Sequence, residues 1–360
     1  MKDIKELKVV LNNDTVGYLK QEENQVLFQY DIDFQHHGFS LSPLSLPLDN
    51  RIYISKSNNF EGLYGVFYDS LPDGWGNLLI HKQMQKIGIN YDALSSLTKL
   101  SLIGKNGLGG LEYIPTQFFD NKNIDYNLDT LAKYATNVYM NIDDDLDAIY
   151  KYAGSSGGAR PKAHLMIDNE EWIVKFPCSF EDNDSGIKEY NANVLAKKCG
   201  IDTNEFKLFK SNTCNGYFGT KRFDRRNNNR LHYISLSSLL ETSHLVPNLD
   251  YLHLFQIINR ICVNANDLYE AYRRMCFNVL FGNKDDHGKN FGFIYDDGYK
   301  LSPFFDITKT DDKLEHEMTL NGNPNPSKDD LIMIIDKLNL NRSVCIDIVD
   351  NIEKIICKQK

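Results

Sequence analysis

The stretch LFGNKDDHGKNFGFIYDDGYKLSPFFDI, residues Leu280–Ile307, carries the pattern that decides the fold. It follows an amphipathic helical run that ends at Gly282, a residue type common just after helices. Asp285 and Asn290 then lie five positions apart. Two alternating runs, FGFIY and YKLSPF, flank the turn residues DDG and predict a β-hairpin. Beyond the hairpin, Asp306 stands in an otherwise apolar run, so we expect the hairpin to return it towards the first two polar residues.

An aspartate and an asparagine five residues apart, followed by a hairpin and a second aspartate, is the layout of a protein-kinase catalytic loop. Phosphoryl transfer needs a carboxylate that accepts the proton of the acceptor hydroxyl, and hard oxygen ligands for Mg²⁺. Asp285 fits the first task, and Asn290 and Asp306 fit the second. Taken alone, however, DDHGKN is also typical of a solvated turn.

The other polar residues of this loop have less specific interpretations. His287 has no Cys or His partner at zinc-ligand spacing, so a loop-bracing role is favoured over a metal role. Asp286 and Lys289 either brace the loop or are exposed.

A second polar segment, AGSSGGARPKAHLMIDNEEWIVKFP, predicts a glycine- and serine-rich turn followed by two strands. Backbone N–H groups of such a turn can surround phosphate, and Lys175, in the second strand, can point its ammonium towards it. Glu189, in the helix that follows, could pair with Lys175. Strand lysines and helix glutamates are more often surface residues, and the turn lacks the Gly-Lys-Ser/Thr of a Walker A loop.

Length and composition exclude several classes of protein. The 360 residues predict two or three units, and 42% hydrophobic with 25% charged residues is typical of a globular protein. A net charge of −9 argues against a broad electrostatic grip on DNA or anionic lipid. The sequence contains no apolar run long enough for a signal peptide or a membrane span. Seven cysteines without a C-x-x-C pair predict reduced thiols and a cytoplasmic location.

The remaining segments predict a β-rich start and a helical end. LKVVLNNDTVGYL and QVLFQYD predict a meander, and LYGVFYDSLPDGWGNLLIHKQMQKIG predicts two helices broken at Pro72 and Gly74. GKNGLGG predicts a turn rather than a phosphate loop, and the Asn/Asp-rich stretch from about Asp120 predicts a linker plus one helix. IKEYNANVLAKKCGI and LYEAYRRMCFNVLFG predict two further helices. A capping box of Ser327 and Asp330 and an amphipathic run, VCIDIVDNIEKIIC, predict two more near the end.

Several of these segments, in this order, resemble the HipA-like serine/threonine kinases, the toxin halves of bacterial toxin–antitoxin pairs. The matching pieces are VGYL, LSLPL, FYDSLPDGWGNLL, GSSGGARPKA, WIVKFP, KRFDR, GNKDDHGKNFGF and LSPFFDI. The resemblance implies an α+β, two-lobed protein-kinase-like fold with an additional β-rich N-terminal subdomain and a mostly helical C-terminal lobe. The expected boundaries are 1–117 for the N-terminal subdomain, 118–225 for the kinase N-lobe and 226–360 for the C-lobe.

The resemblance also implies roles for individual residues. Asp285 would be the catalytic base, Asn290 and Asp306 the magnesium ligands, and Lys175 the phosphate-binding lysine. Ser155, with Ser156 beside it, would be an autophosphorylation site. The expected ATP-binding residues are Gly154, Ser155, Ser156, Gly157, Gly158, Ala159, Arg160, Lys162, Lys175, Arg222, Phe223, Asp285, His287, Lys289, Asn290 and Asp306, with KRFDR bordering the adenine.

Departures from ordinary protein kinases are visible as well. Asp306 is followed by Ile-Thr rather than Phe-Gly, and no His-Arg precedes Asp285. The expected partners are a HipB-like helix-turn-helix antitoxin and a protein substrate, with DNA reached only through the antitoxin and no membrane. Aminoacyl-tRNA synthetases are a target class that the resemblance implies. Two other functions stay open: a catalytically weak antitoxin-binding module, and a small-molecule or lipid kinase that uses the same cleft.

Overall fold

The computed structural model describes residues 1–23, 25–55, 58–117, 127–142, 146–152, 158–178, 183–227, 229–243 and 245–358. These residues form two compact units. The first contains residues 1–187, 207–234 and 238–242, and the second contains residues 188–206, 235–237 and 243–360. Among the described residues, no helix has the length and apolar character that crossing a membrane requires.

The strands, numbered along the chain, are β1 Glu6–Leu11, β2 Asp14–Glu22, β3 Gln25–Tyr30, β4 Tyr53–Ile54, β5 Glu112–Ile114, β6 Lys162–Ile167, β7 Glu170–Lys175, β8 Phe206–Phe209, β9 Tyr217–Lys221, β10 Arg225–Arg226, β11 Asn229–Arg230, β12 His232–Ser235, β13 Leu249–Asp250, β14 Gly292–Tyr295, β15 Tyr299–Leu301 and β16 Met318–Thr319. The helices are α1 Phe34–His37, α2 Gly65–Tyr68, α3 Gly74–Lys86, α4 Ser96–Ile103, α5 Leu128–Tyr139, α6 Leu146–Tyr150, α7 Ser185–Lys198, α8 Leu236–Leu239, α9 Tyr251–Ile261, α10 Asn266–Phe281, α11 Lys328–Met333, α12 Ile335–Leu338 and α13 Arg342–Cys357.

The first unit begins with a five-stranded sheet of order β4-β3-β2-β1-β5. The predicted meander is confirmed, and its first turn consists of Asn12 and Asn13, with φ of 50° and 73°. Two consecutive residues with positive φ make the tight turn whose twist matches that of antiparallel strands, and asparagine tolerates this conformation. Strand β5 lies about a hundred positions after β1 in the sequence and pairs with it, so that Val9 is opposite Tyr113.

The second sheet of this unit has the order β6-β7-β9-β8. Helices α3, α5 and α6 contribute to its apolar core, in which Trp75, Leu131 and Ile149 pack with Trp172 and Val174. The prediction of a linker plus one helix before this sheet is wrong by one helix, because the described residues include both α5 and α6. The buried positions of α5, Leu131, Ala132, Ala135 and Val138, have helical spacing.

The second unit is mainly helical. Helix α10 packs against α9 and α13, and it buries Tyr272, Met275 and Cys276, as its periodicity predicts. Strands β14 and β15 form the predicted hairpin, and Ser327 and Asp330 form the predicted capping box of α11. Together the described elements form the predicted α+β fold.

Candidate active site

The candidate catalytic loop begins where helix α10 ends. Gly282 closes the helix with φ of 86°, and its N–H donates to the carbonyl of Asn278 at 3.0 Å. A residue with a side chain rarely adopts this left-handed conformation, so glycine suits the position. Asp285 follows four residues after Phe281, the last residue of this largely buried helix.

Asp285 has one carboxylate oxygen in an ion pair and one without a hydrogen bond. Its Oδ1 lies 2.5 Å from Nζ of Lys313, which also lies 2.7 Å from Oε1 of Glu317. Its Oδ2 accepts no hydrogen bond from any residue that the structure describes. The side chain is 38% exposed, so Oδ2 is open to an incoming hydroxyl.

Asn290 is oriented by the loop itself. It ends a short 3-10 turn, Gly288–Asn290, in which Nδ1 of His287 accepts the N–H of Lys289 at 3.2 Å. The side-chain Nδ2 of Asn290 donates to the carbonyl of Asp285 at 2.6 Å. This bond uses the amide nitrogen, so the amide oxygen is left as the group available to a metal ion. His287 thus has the bracing role that was expected from the sequence.

Asp286 lies beneath the loop, with its side chain fully buried. Its Oδ2 accepts hydrogen bonds from the hydroxyl of Tyr251 at 2.6 Å and from Nδ1 of His316 at 2.8 Å. Its Oδ1 accepts the N–H of Glu317 at 2.9 Å. Burial and the neighbouring Asp286 carboxylate raise the pKa of Tyr251 well above its ordinary value, so the phenol remains a donor. Of the two roles left open for Asp286, the structure shows the bracing one.

Asn290 precedes the start of strand β14, and Asp306 follows the end of strand β15. The register pairs Phe293 with Leu301, and the N–H of Ser302 donates to the carbonyl of Gly292 at 2.8 Å. Because the strands are antiparallel, the start of β14 and the end of β15 are adjacent. Asp306 itself is half-buried and has a φ of 53°. Backbone strain of this kind in a non-glycine residue is concentrated at functional sites.

The donor atoms at this end of the hairpin fit Mg²⁺. An amide oxygen and a carboxylate are hard ligands, and Mg²⁺ bound with nucleotide usually takes only one or two carboxylates from the protein. Among the described residues there is no group of three or more His, Cys, Asp or Glu side chains placed to hold a metal. An amide oxygen and one carboxylate suit a metal that also binds phosphate and water, rather than a closed structural metal site. That Asn290 and Asp306 hold such a metal stays a prediction.

In the first unit, two lysines occupy one face of the second sheet. Lys162 on β6 is directly opposite Lys175 on β7 in the antiparallel register. Opposed residues of an antiparallel pair point to the same face, a few ångströms apart. Lys162 is 4% exposed, and Lys175 lies over the ring of Phe218 at 5.8 Å. Two lysines at opposed positions on one sheet face favour a ligand with several negative charges, such as a polyphosphate.

The segment Asp73-Gly74-Trp75, which we call the α3 clamp, holds Gly158, which lies within the predicted phosphate loop, residues 154–162. Oδ1 of Asp73 accepts the N–H of Gly158 at 2.8 Å, and the N–H of Trp75 donates to the carbonyl of Gly158 at 3.0 Å. The indole N–H of Trp75 donates to the carbonyl of Lys162 at 3.0 Å. Gly74 has a φ of 45°, and a Cβ there would lie 2.3 Å from the carbonyl oxygen of Gly158, so only glycine fits.

Comparison with known proteins identifies the family. Residues 7–114 match the HipA N-terminal domain, and residues 154–359 match the HipA-like C-terminal domain, which alone covers more than half of the chain. The chain belongs to the HipA-like family. The family resemblance predicted from the sequence is therefore confirmed.

Individual relatives of this HipA-like chain are more distant. It is 28% identical over 200 residues to the protein named "Putative kinase Y4dM" of Sinorhizobium fredii, a match that covers 49% of this chain and 48% of that protein. It is 38% identical over 58 residues to "Putative kinase Y4mE" of the same organism, covering 16% of this chain and 14% of that protein. The chain thus spans about half the length of the first of these relatives and less of the second.

A solved structure with the same fold is the HipA toxin of Shewanella oneidensis MR-1, in a complex described as containing HipA, HipB and operator DNA. The TM-score is 0.74 and the identity 22%, and the match covers 98% of this chain and 89% of that one. At this identity the likeness confirms the kinase-like fold of the HipA-like chain.

The residues of the KRFDR segment lie in a buried ionic network. Arg222 is 4% exposed, forms two hydrogen bonds to Asp224 at 2.8 and 2.6 Å, and donates to the carbonyl of Gly107 at 2.9 Å. The N–H of Gly109 donates to Asp224 at 2.6 Å. Burial acts to raise the pKa of Asp224, but the guanidinium groups of Arg222 and Arg225 outweigh it and hold that pKa well below its usual range.

This network confirms that the glycine run GKNGLGG is a turn, since its backbone groups are bonded to protein side chains. It also shows that Arg222 has a structural role that the sequence did not suggest. The ring of Phe223 lies 5.6 Å from that of Tyr233. That Arg222 and Phe223 border an adenine pocket stays a prediction.

The remaining expected nucleotide contacts are divided between described and undescribed residues. Gly154, Ser155, Ser156 and Gly157 lie outside the described residues. Gly158 and Ala159 are exposed and Arg160 is half-buried. Glu189 is 1% exposed within α7. The roles of these residues in nucleotide binding and autophosphorylation stay predictions.

Sequence reasoning missed three functional candidates: Lys313, Glu317 and the α3 clamp. Lys313 lies in a polar run, TDDKLEHE, that has the composition of an exposed loop. In the α3 clamp, the sequence indicates only a helix break at Pro72 and Gly74. Neither segment carries a local signal for its partner, because each partner is far away along the chain.

Proposed function

We propose that this chain is an ATP- and Mg²⁺-dependent protein kinase of HipA toxin type that phosphorylates serine or threonine. The observation that carries the proposal is the asymmetry of Asp285. One carboxylate oxygen is fixed by Lys313, and the other is open beside a backbone carbonyl that orients Asn290. A solvated turn has no need for a buried aspartate beneath it or for an asparagine whose amide nitrogen is bonded to the loop's own backbone.

The chain's own residues would divide the reaction between them. Oδ2 of Asp285 accepts the proton of the acceptor hydroxyl as its oxygen bonds to the γ-phosphorus, and the bond from that phosphorus to the oxygen of departing ADP breaks. Asn290 and Asp306 would hold Mg²⁺, which when bound neutralises charge on the phosphate oxygens. Lys175, opposite Lys162 in the sheet register, would bind the phosphates of ATP.

The biological setting follows from the family. We propose a HipB-like helix-turn-helix antitoxin as the partner, contact with DNA only through that antitoxin, and a cytoplasmic location. The substrate would be a cellular protein, with aminoacyl-tRNA synthetases as the first class to examine. Phosphorylation of such a protein would arrest growth.

We further propose that the kinase phosphorylates its own phosphate loop at Ser155 or Ser156. A phosphate there carries about −1.5 to −2 charges and would repel the phosphates of ATP. The kinase would then inactivate itself. Mass spectrometry of the protein after prolonged incubation with Mg-ATP should find phosphate on one of these serines, and its absence from a preparation that phosphorylates another protein would rule out self-inactivation.

The main proposal is tested by label transfer. The purified protein is incubated in a bacterial extract with γ-labelled ATP, with Mg²⁺ or with a chelator in its place, and acid-stable label on serine and threonine is measured. We expect Mg²⁺-dependent label on one or a few proteins. Label that appears only on small molecules or lipids would replace a protein kinase with a kinase of another class.

A further inference from the structure

The ammonium of Lys313 lies on the carboxylate that the proposed reaction uses as its base. Nζ is 2.5 Å from Oδ1 of Asp285 and 2.7 Å from Oε1 of Glu317, so one cation bridges two carboxylates. The Lys313 side chain is 31% exposed. Burial acts to lower the pKa of Lys313, but hydrogen bonds to Asp285 and Glu317 outweigh it and raise that pKa, so the group is charged at neutral pH.

The backbone fixes this arrangement on the N-terminal side of Lys313. The N–H of Thr310 donates to the carbonyl of Gly282 at 3.1 Å, and the hydroxyl of Thr310 accepts the N–H of Lys284 at 2.6 Å. The ammonium of Lys284 donates to the carbonyl of Lys313 itself at 2.9 Å and to that of Leu314 at 3.1 Å. The segment is thereby bonded directly to the start of the catalytic loop.

The segment that carries Lys313 is also fixed on the C-terminal side of this residue. The N–H of Glu317 donates to Oδ1 of Asp286 at 2.9 Å and to the carbonyl of Lys284 at 3.2 Å. Lys313 therefore lies between two anchors that both belong to the catalytic loop. A long surface lysine normally samples many rotamers, and its ion pairs contribute little. Here the main chain brings Lys313 to Asp285, which indicates a built contact.

The ion pair with Lys313 gives the two carboxylate oxygens of Asp285 different roles. Because Lys313 holds Oδ1, the carboxylate cannot rotate freely, and Oδ2 is the oxygen left to accept a proton. When Oδ2 is protonated, the carboxyl group becomes neutral and its attraction for the ammonium of Lys313 falls. The cation is then available to the negative charge of the phosphoryl group that has just been transferred to the neighbouring acceptor oxygen.

We propose that Lys313 is a positioning residue of the transfer step, which fixes Asp285 through Oδ1 and leaves Oδ2 to take the proton of the acceptor hydroxyl. This inference rests on the proposed kinase function and adds a residue to it. Glu317 holds the ammonium from its other side. This role requires a positive charge at position 313. Loss of that charge should lower the rate of phosphoryl transfer and leave the affinity for nucleotide unchanged.

The test compares four single variants with the parent in the full chain: Lys313→Met, Lys313→Arg, Lys309→Met and Asp285→Asn. Lys309 is the matched control, because it lies on the same segment, is 53% exposed in its side chain, and pairs with Asp311 rather than with the loop. Initial rates of transfer from γ-labelled ATP to the proteins labelled by the parent, calorimetric affinity for Mg-ATP, and melting temperature are measured for each.

We expect Lys313→Met to lower the rate about tenfold or more, as removal of support from a general base does, with Mg-ATP affinity within about threefold of the parent. Lys313→Arg should recover most of the rate, and Lys309→Met should keep the parent's rate. If Lys313→Met transfers label at the parent's rate while Asp285→Asn is inactive, the inference about Lys313 is overturned and the proposed function is not. Equal losses in the arginine and methionine variants, or a loss confined to Mg-ATP affinity, would overturn it in the same way. A parent that transfers no label, or an active Asp285→Asn protein, would refute the proposed function and this inference with it.

Discussion

Replacing Asp286 by alanine should destabilise the second unit more than any other single change in the catalytic loop. The buried carboxylate accepts hydrogen bonds from the Tyr251 hydroxyl, Nδ1 of His316 and the N–H of Glu317. A buried donor that loses its acceptor costs about 1–2 kcal/mol, so three donors give a loss of about 3–6 kcal/mol. This is a large fraction of the roughly 5–15 kcal/mol by which native proteins are stable.

The assay is thermal melting followed by circular dichroism. For a unit of this size the loss corresponds to a fall of roughly 10 °C in melting temperature. Asp312→Ala is the matched control, because Asp312 is an exposed aspartate beside Lys313, and surface substitutions usually change stability by less than about 0.5 kcal/mol. If the Asp286→Ala protein melts with the parent and the control, the buried network does not support the loop and the reasoning fails.

Three further changes test other parts of the site. Gly74→Ala should lower the free energy of unfolding by about 1–3 kcal/mol, because Gly74 has a positive φ and a Cβ there would contact the Gly158 carbonyl. It should also weaken ATP binding in a calorimetric titration, and an unchanged titration would contradict a role for the α3 clamp. Asp306→Ala should abolish the dependence of ATP affinity on Mg²⁺, and a preserved Mg²⁺ effect would count against a ligand role. Burial raises the pKa of Glu241 to about 7, so the folded chain binds a proton on this carboxyl more tightly than the unfolded chain does. The stability that the protonated carboxyl contributes is therefore lost as the pH rises from about 4.5 towards 7. Glu241→Gln should therefore melt higher than the parent at pH 8 and like the parent at pH 5, whereas equal melting at both values would refute this assignment.

The parts of the fold that could be predicted from the sequence are those encoded by neighbouring residues. The hairpin of β14 and β15, the turn at Asn12 and Asn13, and the end of α10 at Gly282 each depend on backbone preferences within a few positions. The sequence singles out Asp285 and Asn290 for a similar reason, since their spacing is local and their chemistry is specific; their catalytic roles stay predictions.

The parts that could not be predicted depend on pairing between distant positions. Lys313 lies 28 residues from Asp285, and Asp73 lies 85 residues from Gly158. Apolar periodicity shows which face of an element is buried, but it does not show which polar side chain will meet which. Asp286 is the instructive case, because its neighbours in sequence are polar and half-exposed, and only the approach of His316 and Tyr251 buries it.

The most direct test of the central claim compares the parent with Asp285→Asn, as purified proteins, for Mg-ATP affinity and for transfer of label from γ-labelled ATP to the proteins that the parent labels. The carboxamide keeps the size of the side chain but does not accept a proton as a base. We predict Mg-ATP affinity and melting temperature close to those of the parent, and transfer slower by a factor of about 10² to 10⁴. An Asp285→Asn protein that transfers label at the parent's rate would contradict the assignment of this loop as the catalytic centre of a kinase.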